Sequence, residues 1–209
     1  MLKLTCPACS ATIEFKSRVS LFGVCSYCRA MIVRHDVNVE TLGTMAELPD
    51  DVSPLQIGTQ GKFDGTAFQI VGRLKIGWAE GTWNEWYLLF DTGHDGWLAE
   101  AQGFYGVSFP TNTPDALPTP AQLKSETQVV IGKEVFQIDD IKSATCLGSE
   151  GELPMKAPKG RKSTSVDLTG PDGHFACLDY SDEGPRLYVG RYAQFDELNL
   201  QNLREIDGW

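Results

Sequence analysis

Between Ala67 and Trp78 the chain alternates: Phe68, Ile70, Leu74, Ile76 and Trp78 are apolar, with Gln69, Arg73, Lys75 and Gly77 between them. A period of two places alternate side chains on opposite faces of a strand, so this pattern predicts a strand with one core face and one wet face. The next run, Thr82 to Phe90, is apolar on both sides, with Trp86, Leu88 and Phe90 against Trp83, Glu85, Tyr87 and Leu89. That predicts a strand covered on both faces. From Leu55 onward the same kind of short run, rich in Val, Ile, Phe, Trp and Tyr and broken by glycine, keeps returning, and no long helical period interrupts it. The fold class expected is mainly β.

The pattern also repeats. Gly61 to Leu74 and Val129 to Ala144 each present glycine, then Phe-Gln-Ile, then a turn; 88–99 and 166–176 each read as strand, Gly/Asp turn, strand. Two similar halves, 55–110 and 121–209, joined by the proline-rich 110–120, form the expected barrel-like β domain.

The first 36 residues are built differently. Cys6-Pro-Ala-Cys9, fifteen intervening residues and Cys25-Ser-Tyr-Cys28 have the two-knuckle spacing of a four-cysteine zinc ribbon. Two residues between cysteines let both sulfurs of a tight turn face one ion, and two such turns complete a tetrahedron. With Cys6, Cys9, Cys25 and Cys28 as ligands no vertex is left for water, so the expected Zn2+ is structural. A segment this short buries too little apolar surface to fold alone, whereas thiolate zinc sites contribute on the order of 10–16 kcal/mol. A redox dithiol, iron or two disulfides are the competing readings. Val37 to Pro54, acidic and containing proline, reads as a linker with a helical turn at Thr44 to Leu48.

Charge narrows the function. The net charge is −10, but residues 1–36 hold five basic side chains against two acidic ones, leaving 13 basic against 26 acidic beyond them. Such an acidic body repels phosphate backbones, so nucleic acid is not the expected partner. Neither a signal-peptide pattern nor an apolar run of about 20 residues occurs, so the chain reads as cytoplasmic. The basic loop Lys156, Lys159, Arg161 and Lys162 is a candidate partner surface, compatible with a protein or a peripheral membrane contact. Trp83, Glu85 and Trp86 form a second candidate surface, and burial between aromatics would raise the Glu85 pKa.

A thiol nucleophile at Cys177 needs a base within hydrogen-bonding reach. In a strand, Cys177 and Asp179 share a face that His174 does not, so a packed cysteine is expected. His94 lies in a turn sequence and His35 follows the ribbon. Catalytic residues are therefore not assigned, and enzymatic activity is not the expectation.

Gly77-Trp78, Trp83-x-Glu85-Trp86-x-Leu88-Leu89, Gly96-Trp97-Leu98-x-Glu100, Gly151-Glu152-Leu153-Pro154 and Asp167-Leu-Thr-Gly170 with Phe175-Ala176-x-Leu178-Asp179-Tyr180 together resemble the bacterial family catalogued as domain of unknown function 4178. The likeness spans about 55–200. It implies an N-terminal zinc ribbon, which members often carry, and an accessory or adaptor role near membrane-stress or polyamine-related systems. It implies no catalytic residues. A hydrolase or transferase using Glu85 or the Cys177 region, and nucleic-acid binding through the ribbon, are the alternative functions.

Overall fold

The computed structural model describes residues 1–35, 38–48, 51–112 and 117–206. Strands dominate it, and among the described residues no helix is long and apolar enough to cross a membrane. The ribbon begins as an antiparallel pair, β1 (Leu2–Thr5) with β2 (Thr12–Phe15), followed by the meander β3 (Phe22–Val24), β4 (Ala30–His35) and β5 (Asn38–Thr44). The first half of the body is β6 (Gln60–Phe63), β7 (Thr66–Trp78), β8 (Gly81–Phe90), β9 (Asp95–Ala101) and β10 (Phe104–Thr111). The second is β11 (Gln128–Ile131), β12 (Glu134–Leu153), β13 (Lys162–Thr169), β14 (His174–Ser181) and β15 (Gly184–Ala193).

Pairing runs from β7 through β8, β9 and β10, crosses to β15, continues through β14 and β13 to β12, and returns to β7. The eight strands thus close a ring in which every neighbour is antiparallel. Closure leaves no free edge within the ring. The repeat seen in the sequence is present in the pairing. After Phe68-Gln69-Ile70 the register shifts between Ile70 and Gly72, and after Phe136-Gln137-Ile138 it shifts between Ile138 and Asp140. Both seams also pair equivalent places: Phe109, two residues past Val107, faces Val189, two past Leu187, and Gly77 faces Thr145. A pseudo-two-fold axis therefore relates the halves through both seams.

Residues directly opposite in an antiparallel pair point to the same side, so the register assigns the faces. Outside lie two cores. Phe63, Phe68, Ile70, Trp86, Leu88 and Leu98 pack under Leu55 and Leu198 in one half, and Ile131, Phe136, Ile138, Val166, Leu168 and Leu178 under Leu123 in the other. Inside lie Leu74, Ile76, Tyr87, Trp97, Ala144, Cys146 and Tyr188.

Four expectations change here. The alternation from Ala67 to Trp78 is not one face, because the bulge at Val71 sends Phe68 and Ile70 outward and Leu74 and Ile76 inward. Nor is the Arg73 and Lys75 side wet: both are buried, under the segment that begins at Asp51. The interval 37–54, expected as a linker, contains β5, whose partner is β4, and 44–48 forms no helical turn but the end of β5 and a segment that buries Met45 and Leu48. Residues 36, 37, 49 and 50 of the ribbon and linker ranges, and 113–116 of the proline-rich connector, lie outside the described residues.

The ribbon is joined to the ring by strand pairing. Gly23 and Phe22 pair with Glu152 and Leu153 at the end of β12, and the Leu21 N–H donates to the Leu153 carbonyl at 3.0 Å. Phe22, Val33 and Met45 share one core with Val71, Tyr87 and Leu153.

Candidate metal centre and barrel interior

The two cysteine knuckles are built alike. In each, the first cysteine's N–H donates to the carbonyl five residues on (Cys6 to Ala11, 2.8 Å; Cys25 to Ala30, 2.9 Å), and its carbonyl accepts from Ser10 in one and Arg29 in the other. Ser10 and Arg29 hold equivalent positions and both have positive φ, 64° and 62°. The turns bring the sulfurs of Cys6, Cys9, Cys25 and Cys28 within 4.8 Å of one another, with Cys6 to Cys28 at 3.7 Å and Cys9 to Cys25 at 3.8 Å. Sulfurs about 2.3 Å from a tetrahedral ion stand about 3.8 Å apart, whereas a disulfide would require about 2.05 Å. These distances fit a shared cation.

The electrostatics fit one too. Burial alone would raise the Cys6 thiol, but N–H groups of Cys9 and Ala8 and the Cys28 and Cys9 side chains favour its thiolate and hold it below its ordinary value. Cys9 is favoured as thiolate by the Ala11 N–H yet pushed up to about 12, chiefly by the other sulfurs. Four crowded thiols cannot all ionise without a positive charge among them, which a metal supplies.

Gly151-Glu152-Leu153-Pro154 is the junction that carries this centre. The Glu152 carboxylate accepts the Lys16 N–H at 2.8 Å and the Ser17 N–H at 3.1 Å, while its own residue is only 5% exposed. Gly151 has φ +67°, and a Cβ there would stand 2.2 Å from the Val71 carbonyl oxygen. Leu153 is fully buried. The three residues before the proline therefore serve different ends: Gly151 permits close approach, Glu152 captures the loop and Leu153 fills the core.

A second polar cluster clamps the chain before β6 to the outer face of the ring. Asp51 binds Arg73, Lys75 (2.7 Å), Asn84 (3.2 Å) and Arg204 (3.1 Å), and Glu100 accepts from Ser53, Asn84 and Trp86. Burial would raise the Asp51 carboxyl, but the Lys75 hydrogen bond and the Arg73 and Lys75 charges hold it down at about 2. A carboxyl whose folded pKa is depressed stabilises the fold above its unfolded value of about 3.9 and loses that contribution as pH falls through the folded one. Acid titration by circular dichroism is therefore expected to show a stability loss on the order of 2 kcal/mol between about pH 4 and pH 2. Asp51→Asn is expected to remove this loss, together with the stability it measures.

Glu85 has the opposite sign. It projects into the ring, accepts Trp83 Nε1 at 2.7 Å, and is pushed up to about 7 by burial and by the charges of Asp167 and Asp179. Its contribution is full below about pH 4.5 and is lost as pH rises through about 7. Glu85→Gln is accordingly expected to raise stability at pH 8, by about 3 kcal/mol, and to leave it nearly unchanged at pH 4; denaturant melts at the two values check this.

The inner wall also receives Cys177 and Asp179, which share a face as the strand pattern requires. Burial, then Asp167 and Glu85, push the Cys177 thiol well up, which disfavours a thiolate nucleophile. His174 lies 3.5 Å from Glu134, not beside Cys177. His35 faces Glu40 at 3.4 Å, and His94 is exposed in the β8–β9 turn.

The predicted surface at Trp83, Glu85 and Trp86 is divided by the sheet. Trp83 and Glu85 face inward, whereas Trp86, 1% exposed, is an outer-core residue whose Nε1 reaches Glu100 at 2.9 Å, so Trp86 is no part of a surface. In the loop, Lys156, Lys159 and Lys162 are exposed while Arg161 pairs with Asp179 at 3.0 Å. Sequence reasoning gave no structural role to Asp51, Glu100 or Glu152, three carboxylates whose partners lie far away in the chain.

The family described as Domain of unknown function (DUF4178) matches residues 56–195, more than half of the chain. The chain belongs to the DUF4178 family. The match covers β6 to β15, both halves of the ring, and begins after the ribbon. In this DUF4178 protein the Gly-Glu-Leu-Pro motif lies inside the matched region, while the cysteines that it anchors lie outside. No curated protein and no solved structure matches the chain.

Proposed function

We propose that this protein is a non-enzymatic adaptor whose ribbon holds one structural zinc ion and is presented to a protein partner by the ring. The observation that carries this reading is the four-sulfur site: edges of 3.7 and 3.8 Å suit tetrahedral coordination by thiolates alone, which leaves no vertex for a water or a substrate. Zinc is the ion proposed because it takes such sites without redox chemistry. A ribbon paired to β12 presents a fixed surface, on which Val19, Leu21 and Tyr27 are exposed. Lys156, Lys159 and Lys162 offer a second contact, suited to an acidic protein patch or a peripheral membrane surface. The cytoplasm, where thiols stay reduced, is the compartment this reading requires. An accessory place beside a membrane-stress or polyamine-related system follows from the family resemblance alone.

Elemental analysis of the purified protein is expected to return one zinc per chain. Affinity capture of the tagged protein from its native cells is expected to recover a stoichiometric protein, lost with Tyr27→Ala or with Lys156, Lys159 and Lys162 changed to Glu. Metal-free folded protein would remove the zinc reading, and a partner that ignores both surfaces would remove the adaptor reading.

A further inference from the structure

Three arginines that are distant in sequence line one small cavity, and each has the same edge of its guanidinium already engaged. Arg29 donates from Nε to the Met45 carbonyl (3.1 Å) and from Nη2 to that of Ala46 (2.6 Å). Arg73 donates from Nε (3.1 Å) and Nη2 (2.8 Å) to Asn84 Oδ1, and lies over the Trp86 ring at 4.8 Å. Arg204 donates from Nε (3.0 Å) and Nη2 (2.6 Å) to the Ser53 carbonyl. The Nη1 ends are what remain. Among the described residues, Arg73 Nη1 has only Glu150 at 3.5 Å, Arg29 Nη1 only Glu47 at 3.7 Å, and Arg204 Nη1 has no partner.

The cavity is about 170 Å³ and lies where the ribbon, the outer face of the ring and the C-terminal segment meet, with Gln56 also on its wall. That is below the roughly 300–1,000 Å³ of sites for drug-sized molecules, and several times the ~30 Å³ share of one water. Arg73 is the central group. Its side chain is 7% exposed, so an ion meeting Nη1 would be largely desolvated. Glu150 and Glu47, 38% and 89% exposed, are free to swing into solvent and are placed as exchangeable counter-ions.

We propose that this cavity is a binding site for a small tetrahedral oxyanion, namely phosphate or the phosphate end of a small metabolite. Charge-assisted hydrogen bonds from rigidly held guanidinium groups are the strong means of phosphate recognition, and here the immobilisation is supplied by the fold before any ligand arrives. An anion bound there would tie together residues 29, 73 and 204, and so report a ligand on the body of the protein to the ribbon.

The test is calorimetric titration of the zinc-loaded full chain with inorganic phosphate and, separately, glycerol phosphate, each against sodium chloride at equal ionic strength. Saturable binding by either is expected. Glycerol phosphate binding more tightly would assign the metabolite source, and phosphate binding alone the free ion. Arg29→Gln, which leaves the buried cluster intact, is expected to weaken binding about tenfold. Glu150→Gln, which removes the competing carboxylate, is expected to strengthen it, while Glu80→Gln in the distant β7–β8 turn leaves it unchanged. No saturable heat with either ligand overturns the proposal, and so does binding that neither Arg29→Gln nor Glu150→Gln alters.

Discussion

Cys25→Ser, or removal of the metal by a strong chelator, is expected to lower the unfolding temperature of the whole protein by about 10 °C, not merely to unravel its first residues. The ribbon core around the cysteines is Cys6, Cys25, Ala30 and Ile32 with a few partly buried neighbours, far too small to persist unless an ion joins the four sulfurs. Its loss propagates because β3 is hydrogen-bonded to β12, and Phe22 and Val33 complete the core that holds Val71, Tyr87 and Leu153. Uncovering that surface costs about 4 kcal/mol or more by the scale for large buried side chains. Calorimetry with and without metal measures it. A melting temperature for residues beyond 54 that does not respond to the metal would show that ribbon and ring are energetically separate.

The second large effect is expected at Gly190, on the seam between the two halves. A Cβ there would lie 1.9 Å from the Val107 carbonyl oxygen and 2.6 Å from the Ser108 Cα, backbone atoms of β10 that have nowhere to move without breaking the β10–β15 pairing. Gly190→Ala is expected to destabilise by about 3 kcal/mol or more, mostly as faster exchange of the amides along that seam. Gly81→Ala serves as the comparison. Its nearest neighbour is Trp78 Nε1 at 3.8 Å, so little change is expected. Equal denaturation midpoints for the two variants would be incompatible with a tightly closed ring.

The cysteine knuckles were legible because their chemistry is local: two residues of spacing fix a turn whatever the rest of the chain does. The mainly β class and the two halves were legible for a related reason, since Phe68-Gln69-Ile70 and Phe136-Gln137-Ile138 leave matching traces in the sequence. Arg73 and Lys75 misled because alternation reports polarity, not exposure. They are dry because Asp51, twenty-two residues before Arg73, and Arg204, far beyond it, converge on the same side of β7. Val71 misled in another way, as an extra residue in a strand exchanges inside for outside without altering the polar and apolar pattern. Glu152 carried no signal of its own role, for its partners are two backbone N–H groups that any sequence would possess.

Because Phe109 faces Val189 and Gly77 faces Thr145, each join between the halves maps onto itself under a half-turn. The pairing that closes the wall at the two joins runs between β10 and β15 and between β7 and β12. One polypeptide thus carries two five-stranded units joined with the symmetry of an isologous dimer. The two units differ on the lumen side, where the places that Leu74, Tyr87 and Trp97 hold in one are held by Lys142, Asp167 and Cys177 in the other.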